Sequence, residues 1–282
     1  MAKITKLNPL ILDKVWGGKK LLDFHPESSL QNIGETWEVS TLPEGSSKIG
    51  NVDLSSICEL PYLVKFIDTS KDLSIQVHPD DIYANEHENC SGKTESWLIL
   101  DSVPGSGVFL GLRSGVTRKE FYTALKTGMA VDQFLDFYLV QAGDFFVVPA
   151  GTIHAIGAGV TLCEIQQSSG ITYRVWDWGR MGTDGRPREL HIEKAMDCIN
   201  FQENSYRKET DHLNLSVKNI SGVKLLYKHD DFEVQHLSKL SKKNLSLSLR
   251  EKESITVLKG EILGDIVLHK FESALVLELS LI

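Results

Sequence analysis

The feature that most constrains this chain is its punctuation. Short runs rich in β-branched and aromatic residues follow one another, each closed by Gly, Pro, Asn or Asp. Candidate strands are Trp37 to Ser40, Tyr62 to Ile67, Leu73 to His78, Glu95 to Leu100, Gly107 to Leu110, Phe137 to Gln141, Phe145 to Val148, Val160 to Gln167 and Ile171 to Trp176. Such density predicts an all-β sandwich or barrel, with none of the regular strand–helix alternation of doubly wound folds. Helices are expected as insertions. Thr117-Arg-Lys-Glu120 reads as a capping box, followed by Phe121, Tyr122 and Leu125 at helical spacing. A continuation through Val131 to Phe137, a short helix starting at Pro79-Asp80-Asp81 and another from His191 to Ile199 are also expected.

The polar segment 201–213 reads as a linker. Beyond it, Leu225 to Tyr227, Phe232 to Leu237, Leu245 to Leu249, Ser254 to Leu258 and Ala274 to Leu281 read as strands of a smaller β unit. The expected division is a unit over 1–200 with a helical insertion around 114–137, a linker over 201–213 and a small C-terminal β domain over 214–282.

Composition narrows the function classes. With 282 residues and 41% hydrophobic side chains the chain has material for a sizeable core. A net charge of -8 argues against nucleic acid or an anionic membrane surface as the main partner. No apolar run reaches the ~18 residues of a membrane span, and Met1 to Lys6 is too polar for a signal peptide, so a cytoplasmic location is expected. Cys58, Cys90, Cys163 and Cys198 form no CxxC pair and read as buried small hydrophobes.

Two segments carry candidate chemistry. Leu73-Ser-Ile-Gln-Val-His78 alternates strictly, placing Gln76 and His78 on one face. That face is either the solvated side of a half-buried strand or a pair of metal ligands. Gly143-Asp-Phe-Phe-Val-Val-Pro149-Ala-Gly151-Thr-Ile-His154 is a strand ended by Pro, a tight Gly turn and a His opening the next segment. This G-x5-P-x-G-x2-H spacing matches the second signature of cupin barrels. In a closed barrel, inward residues from different strands converge. Gln76, His78, Glu95 and His154 would then offer two imidazoles and two oxygens, a donor set suited to Zn2+ and also to Mn, Fe or Co.

Read in order, Trp16-Gly-Gly, Gln76-Val-His-Pro-Asp-Asp81, Gly92-Lys-Thr-Glu95, Pro149-Ala-Gly-Thr-Ile-His-Ala-Ile156, Glu164-Ile-Gln-Gln-Ser-Ser169, Thr172-Tyr-Arg174, Asp177-Trp178 and Arg188-Glu-Leu-His191 resemble the short bacterial form of type I mannose-6-phosphate isomerase. The resemblance spans about residues 7 to 195. It implies a mainly β fold, a cupin (jelly-roll) barrel with helical insertions and a smaller, reduced C-terminal β-barrel or sandwich. It implies an aldose–ketose isomerase interconverting mannose 6-phosphate and fructose 6-phosphate through a cis-enediol(ate), with one Zn2+ per chain and a small sugar phosphate as partner. By motif position Gln76, His78, Glu95 and His154 take the metal-ligand roles, Arg174 the active-site arginine and Lys93 the lysine beside the ligand glutamate.

Other roles stay open. Glu164 is the first candidate base, against an ion pair with Arg174 that merely orients the arginine, or a metal-bound water as proton carrier. Arg180 and Lys93 are candidates for the phosphate, with Arg186 and Arg188 expected in a solvated loop. Trp16 beside Gly17-Gly18 is a candidate wall of the sugar pocket, while Trp97 and Trp178 are expected in the core. The family's second barrel has a Gly-to-Pro strand near its end, and Lys270 to Ser280 lacks both landmarks. That departure motivates the alternative of a non-catalytic, sugar-phosphate-binding regulatory cupin; a metal oxygenase is disfavoured by Gln76 and the Arg174 motif. Whether the chain is a monomer or a homodimer is not read from the sequence.

Overall fold

The computed structural model describes residues 2–182, 184–202, 212–215, 222–238, 252–256, 262–263, 267–268 and 273–278. In chain order the strands begin β1 Ala2–Lys6, β2 Leu10–Leu12, β3 Glu35–Val39, β4 Thr41–Leu42, β5 Gly45–Ser46, β6 Lys48–Ile49, β7 Val52–Asp53, β8 Tyr62–Asp68 and β9 Ile75–Val77. They continue β10 Glu95–Ser102, β11 Gly107–Leu112, β12 Leu135–Leu139, β13 Asp144–Val148, β14 His154–Ile156, β15 Val160–Gln167 and β16 Tyr173–Trp176. The last are β17 His212–Asn214, β18 Gly222–Lys228, β19 Glu233–Ser238, β20 Ser254–Thr256, β21 Ile262–Leu263, β22 Val267–Leu268 and β23 Ser273–Glu278. Three α-helices join them among the described residues: α1 Asp81–Glu88, α2 Arg118–Thr127 and α3 Ile192–Cys198.

Alternating side chains explain why two sheets form and face each other. The seven-stranded sheet runs β17-β13-β10-β15-β8-β3-β2 and the five-stranded sheet β12-β11-β14-β9-β16, all neighbours antiparallel. Trp97, Ile99, Phe146, Val148 and Leu162 of the large sheet meet Val108, Leu110 and Ile156 of the small one, with Leu73 beside them. Burying each such side chain contributes roughly 1.5–3 kcal/mol. The expected β fold is therefore present as a two-sheet sandwich, and among the described residues the strands do not close into a barrel.

The outer faces are covered too. Ile75, Val77, Ala155, Tyr173 and Val175 pack against Phe121, Ala124 and Leu125 of α2 and Ala195 and Met196 of α3. Val64, Phe66 and Cys163 pack under Leu21, Ile33, Leu54 and Leu60. With both faces covered, polar groups on the strands of the sandwich are buried and must find partners.

Local signals hold in part. Thr117 forms the capping box with Glu120, and Gly128 ends α2 in the left-handed conformation. At α1 the N-cap is Asp80, whose carboxylate accepts from Tyr83 N, so Pro79 lies outside the helix rather than in its first turn. The helical continuation over 131–137 is corrected. Asp132–Phe134 makes one 3-10 turn, and Leu135–Leu139 then pairs with Gly107–Leu112 as an edge strand. The linker is corrected at its end. Residues 203–211 lie outside the described residues, and His212–Asn214 is an edge strand paired with β13.

The C-terminal unit contains the hairpin β18–β19, the pair β21–β22 and a sheet ordered β1-β23-β20. The expected strand at Leu245 to Leu249 lies outside the described residues. The first strand of the chain thus belongs to the last sheet, and the expected 1–200 unit gives it up. Contacts among the described residues fasten this part of the chain to the sandwich. Leu7 N donates to the Ser273 carbonyl at 2.9 Å, Ser273 Oγ to Glu38 Oε2 at 3.3 Å and the Tyr62 hydroxyl to the Lys252 carbonyl at 2.8 Å.

Candidate metal centre

Register brings the four proposed ligands together between the sheets. His154 stands opposite Gln76 across β14–β9, and Arg174 opposite Gln76 across β9–β16, so all three share the inner face of the small sheet. Glu95 opens β10 on the inner face of the large sheet, paired with Val148 and Gln166. His78 follows the last residue of β9 and is buried. The Pro149–Gly151 turn delivers His154. Gly151 has φ +83° and donates its N–H to the His78 carbonyl at 2.8 Å, so the two histidine segments are tied through a residue only glycine adopts easily.

His154 Nε2 lies 3.2 Å from Glu95 Oε1, and His78 Nε2 lies 3.5 Å from Glu95 Oε2. The ligand atoms of these three residues all fall within 4.8 Å of one another. His78 Nδ1 donates to the Ile171 carbonyl and His154 Nδ1 to the Thr152 carbonyl, each at 2.9 Å. Those bonds fix the tautomer and aim both Nε2 lone pairs at the same point. Gln76 Nε2 is 3.3 Å from His154 Nε2, and turning the amide over presents its oxygen there.

The electrostatics fit a cation. Glu95 is fully buried, and Lys93 Nζ lies 2.9 Å from its Oε2. Burial alone would raise the Glu95 pKa, but Lys93 and the two imidazoles hold it well below the usual range. Burial pushes His78 down to about 3, with Lys93 adding to the effect, and lowers His154 as well. Burial opposes the charge on Lys93, yet Glu95 and Glu164 together raise its pKa. The centre is thus two neutral imidazoles and an ionised carboxylate, the protonation states a divalent metal requires.

Around it stand the remaining candidates. Glu164 projects inward from β15 opposite Trp97 and Lys65. Its Oε2 accepts from Trp97 Nε1 at 3.1 Å, and its Oε1 lies 3.2 Å from Lys65 Nζ and 4.0 Å from Lys93 Nζ. The alternative ion pair with Arg174 is not formed: Glu164 Oε1 faces Lys65 and Lys93, and Arg174 turns to the Glu189 carbonyl. Arg174 donates through Nη1 to the Glu189 carbonyl at 3.0 Å, while its buried Nε has no partner.

Three residues are placed otherwise than expected. Arg180 donates to Asp177 Oδ1 through Nε at 3.1 Å and Nη2 at 2.6 Å, and to the Asp72 carbonyl, so it is not a free phosphate donor. Arg188 shares Asp177 with it, at 2.7 Å from Oδ2, and is no solvated loop residue, whereas Arg186 is exposed. Trp16 is 3% exposed in the inter-sheet core and offers no wall to a sugar. Its glycines serve the backbone: a Cβ on Gly18 would stand 2.1 Å from Asp68 Oδ2. Trp97 is in the core as expected, and Trp178 packs at the margin of the helix-side core, its indole donating to the Leu73 carbonyl at 2.6 Å.

One residue escaped the sequence reading. Lys65 is 8% exposed, bridges to Glu164 and lies 5.2 Å from the centre of the Trp37 ring. A lysine in the middle of the apolar run Tyr62–Asp68 was the available signal, since lysines are almost never fully buried unless paired.

No family model matches the chain. Among curated proteins it is similar to mannose-6-phosphate isomerase ManA of Bacillus subtilis, at 36% identity over 223 residues, which cover 72% of this chain and 70% of that one. It is similar to mannose-6-phosphate isomerase of Streptococcus mutans at 37% identity over 218 residues, 71% of this chain and 68% of that one. The crystal structure of the mannose 6-phosphate isomerase from Bacillus subtilis superposes with a TM-score of 0.76 and 26% identity, covering 96% of this chain and 92% of that chain. Identity at this level over more than two thirds of the curated relatives, with the fold shared nearly end to end, means that the chain belongs to the mannose-6-phosphate isomerase family of enzymes.

Proposed function

We propose that the chain interconverts mannose 6-phosphate and fructose 6-phosphate, with Gln76, His78, Glu95 and His154 holding one Zn2+. The observation that carries this reading is the pair of imidazoles, each fixed at Nδ1 by a backbone carbonyl, whose Nε2 atoms lie 3.2 and 3.5 Å from one buried carboxylate. Bound there, Zn2+ supplies a Lewis acid for the substrate oxygens.

The chain's own groups account for the rest. Moving a carbonyl between C1 and C2 takes a proton from one carbon and returns it to the other through a cis-enediol(ate). Glu164 is the proton carrier in this reading: Trp97 fixes Oε2, and Oε1, buried without a hydrogen bond, is the oxygen that can accept. Lys93 and Arg174 supply fixed positive charge where the oxyanion develops, and the unpartnered Nε of Arg174 is a donor held in reserve for it. Burial strengthens both contributions, because the site excludes water. The substrate is an anion although the chain carries a net -8, so recognition rests on this local positive cluster.

A coupled assay of mannose 6-phosphate turnover tests the reading. Activity is expected to fall on chelation and to return with Zn2+. Full activity after verified metal removal would sink it.

A further inference from the structure

A side chain of the C-terminal hairpin bonds to a residue beside the candidate metal centre. Hairpin β18–β19 turns through Asp230 and Asp231. The turn is rigidly built. His229 N donates to the Phe232 carbonyl at 2.8 Å, Asp231 N donates to His229 Nδ1 at 3.2 Å, the His229 and Phe232 rings stack at 5.4 Å, and Phe232 is buried. It presents Asp231 Oδ2 at 2.6 Å to Gln167 Nε2.

Gln167 is a junction. It is 1% exposed at the end of β15. Its Nε2 also donates to Asp81 Oδ1 at 3.0 Å, and its Oε1 accepts from Thr94 N at 2.8 Å. Its own backbone N donates to the Thr94 carbonyl at 3.1 Å. Thr94 stands between Lys93 and Glu95, and its Oγ1 accepts from Ala150 N at 3.2 Å, in the turn that delivers His154. Asp81 Oδ1 in turn accepts from Gly92 N at 2.8 Å. Gln167 therefore holds Thr94 on both sides, its side-chain carbonyl accepting from Thr94 N and its backbone N–H donating to the Thr94 carbonyl, and two carboxylates hold the side-chain amide. With both N–H groups and the carbonyl engaged, its orientation is set, and Asp231 supplies one of the two anchors.

We propose that Asp231 is a positioning residue of the active site, acting through Gln167 and Thr94 to hold Lys93, Glu95 and the His154 turn in register. This rests on the function read above and gives the reduced C-terminal unit a part in it. Residues that orient metal ligands typically change metal affinity or activity 10–100-fold when lost. Asp231 acts one bond further out, so a loss of about 3–10-fold is expected.

The test uses the full chain with Asp231→Ala and Asp231→Asn. Asparagine keeps an oxygen that can accept from Gln167; alanine does not. Asp231→Ala is expected to lower kcat about 3–10-fold with KM changed less, to release zinc to a chelator faster by a similar factor, and to speed hydrogen exchange in the peptide around Thr94. Asp231→Asn should restore all three. The proposal is overturned if Asp231→Ala lowers only the melting temperature, if exchange around Thr94 is unchanged, or if Asp231→Asn behaves like alanine. Should the native chain show no isomerase activity, the reading of function falls, while the exchange and chelator arms still decide this one.

Discussion

Lys93→Met is the most informative single perturbation. Its ammonium lies 2.9 Å from Glu95 Oε2, 3.2 Å from His78 Nε2 and 4.0 Å from Glu164 Oε1. It offsets the charge of a fully buried carboxylate. At an effective dielectric of ~20 the gross attraction is about 6 kcal/mol for the 2.9 Å pair and about 4 kcal/mol for the 4.0 Å pair. Much of that offsets desolvation, so the relevant quantity is the cost of orphaning buried charge, about 3–5 kcal/mol. Methionine keeps the length and apolar stem while removing the charge. In chelator, the variant should therefore melt roughly 6–20 °C below the native protein.

Metal changes this result in a way that tests the reasoning. A divalent cation held by His78, Glu95 and His154 places positive charge against the same carboxylate and takes over part of what Lys93 does. The gap between native and variant should then be smaller in saturating Zn2+ than in chelator. Differential scanning calorimetry of both proteins in both conditions reads the four values. An equal gap in zinc and chelator would refute the argument that ammonium and metal share one electrostatic role, and the absence of any gap in chelator would refute the buried pair itself. Turnover is read separately, because Lys93 is also expected to act on the substrate.

How much of this was legible in the sequence follows from the range of each interaction. Three of the four candidate ligands carry a local signal, alternation at Gln76 and His78 and the Pro149–Gly151 turn before His154, whereas Glu95 has none of its own. Parity of alternation is local, and it placed Glu164 and Gln166 on one face. What it could not supply was which sheet a strand joins. Glu164 and Arg174 lie near each other in sequence, but β15 and β16 join different sheets, and the partners each meets there, Lys65 for Glu164 and the Glu189 carbonyl for Arg174, come from distant segments or from the following loop. Asp177 lies three residues from Arg180 and captures it, a pairing that the spacing alone makes available. Leu135–Leu139 has apolar residues that suit either period, and only its pairing with β11 decides for strand. The joining of Ala2–Lys6 to Ser273–Glu278 leaves no trace in either segment, since both would make an equally good strand elsewhere.

Three further outcomes follow from the geometry. Arg174→Ala should lower kcat by about 10²–10³-fold while zinc content stays at one per chain, because the guanidinium touches no metal ligand side chain; metal analysis beside steady-state kinetics checks this, and lost zinc would count against it. Glu164→Gln keeps the acceptor for Trp97 Nε1 but cannot take up a proton, so kcat should fall by at least about 10²-fold, and near-native turnover would remove Glu164 as proton carrier. Asp177→Asn should change the acid limb of stability. Asp177 is buried, which raises its pKa, but bonds from Arg188 and Arg180 outweigh that and hold it below the ordinary value. A carboxyl whose folded pKa lies below its unfolded value of about 3.9 adds stability above that value and loses it as the pH falls through the folded pKa. Hydrogen bonds to charged groups contribute about 1.5–3 kcal/mol each, and the asparagine amide leaves one arginine facing a donor. Urea melts from pH 6 down to about pH 2 should therefore show the largest native advantage above pH 5 and a shrinking one below pH 4. A native advantage that is constant across that range would mean that Asp177 holds the two arginines by shape alone, and not by its charge.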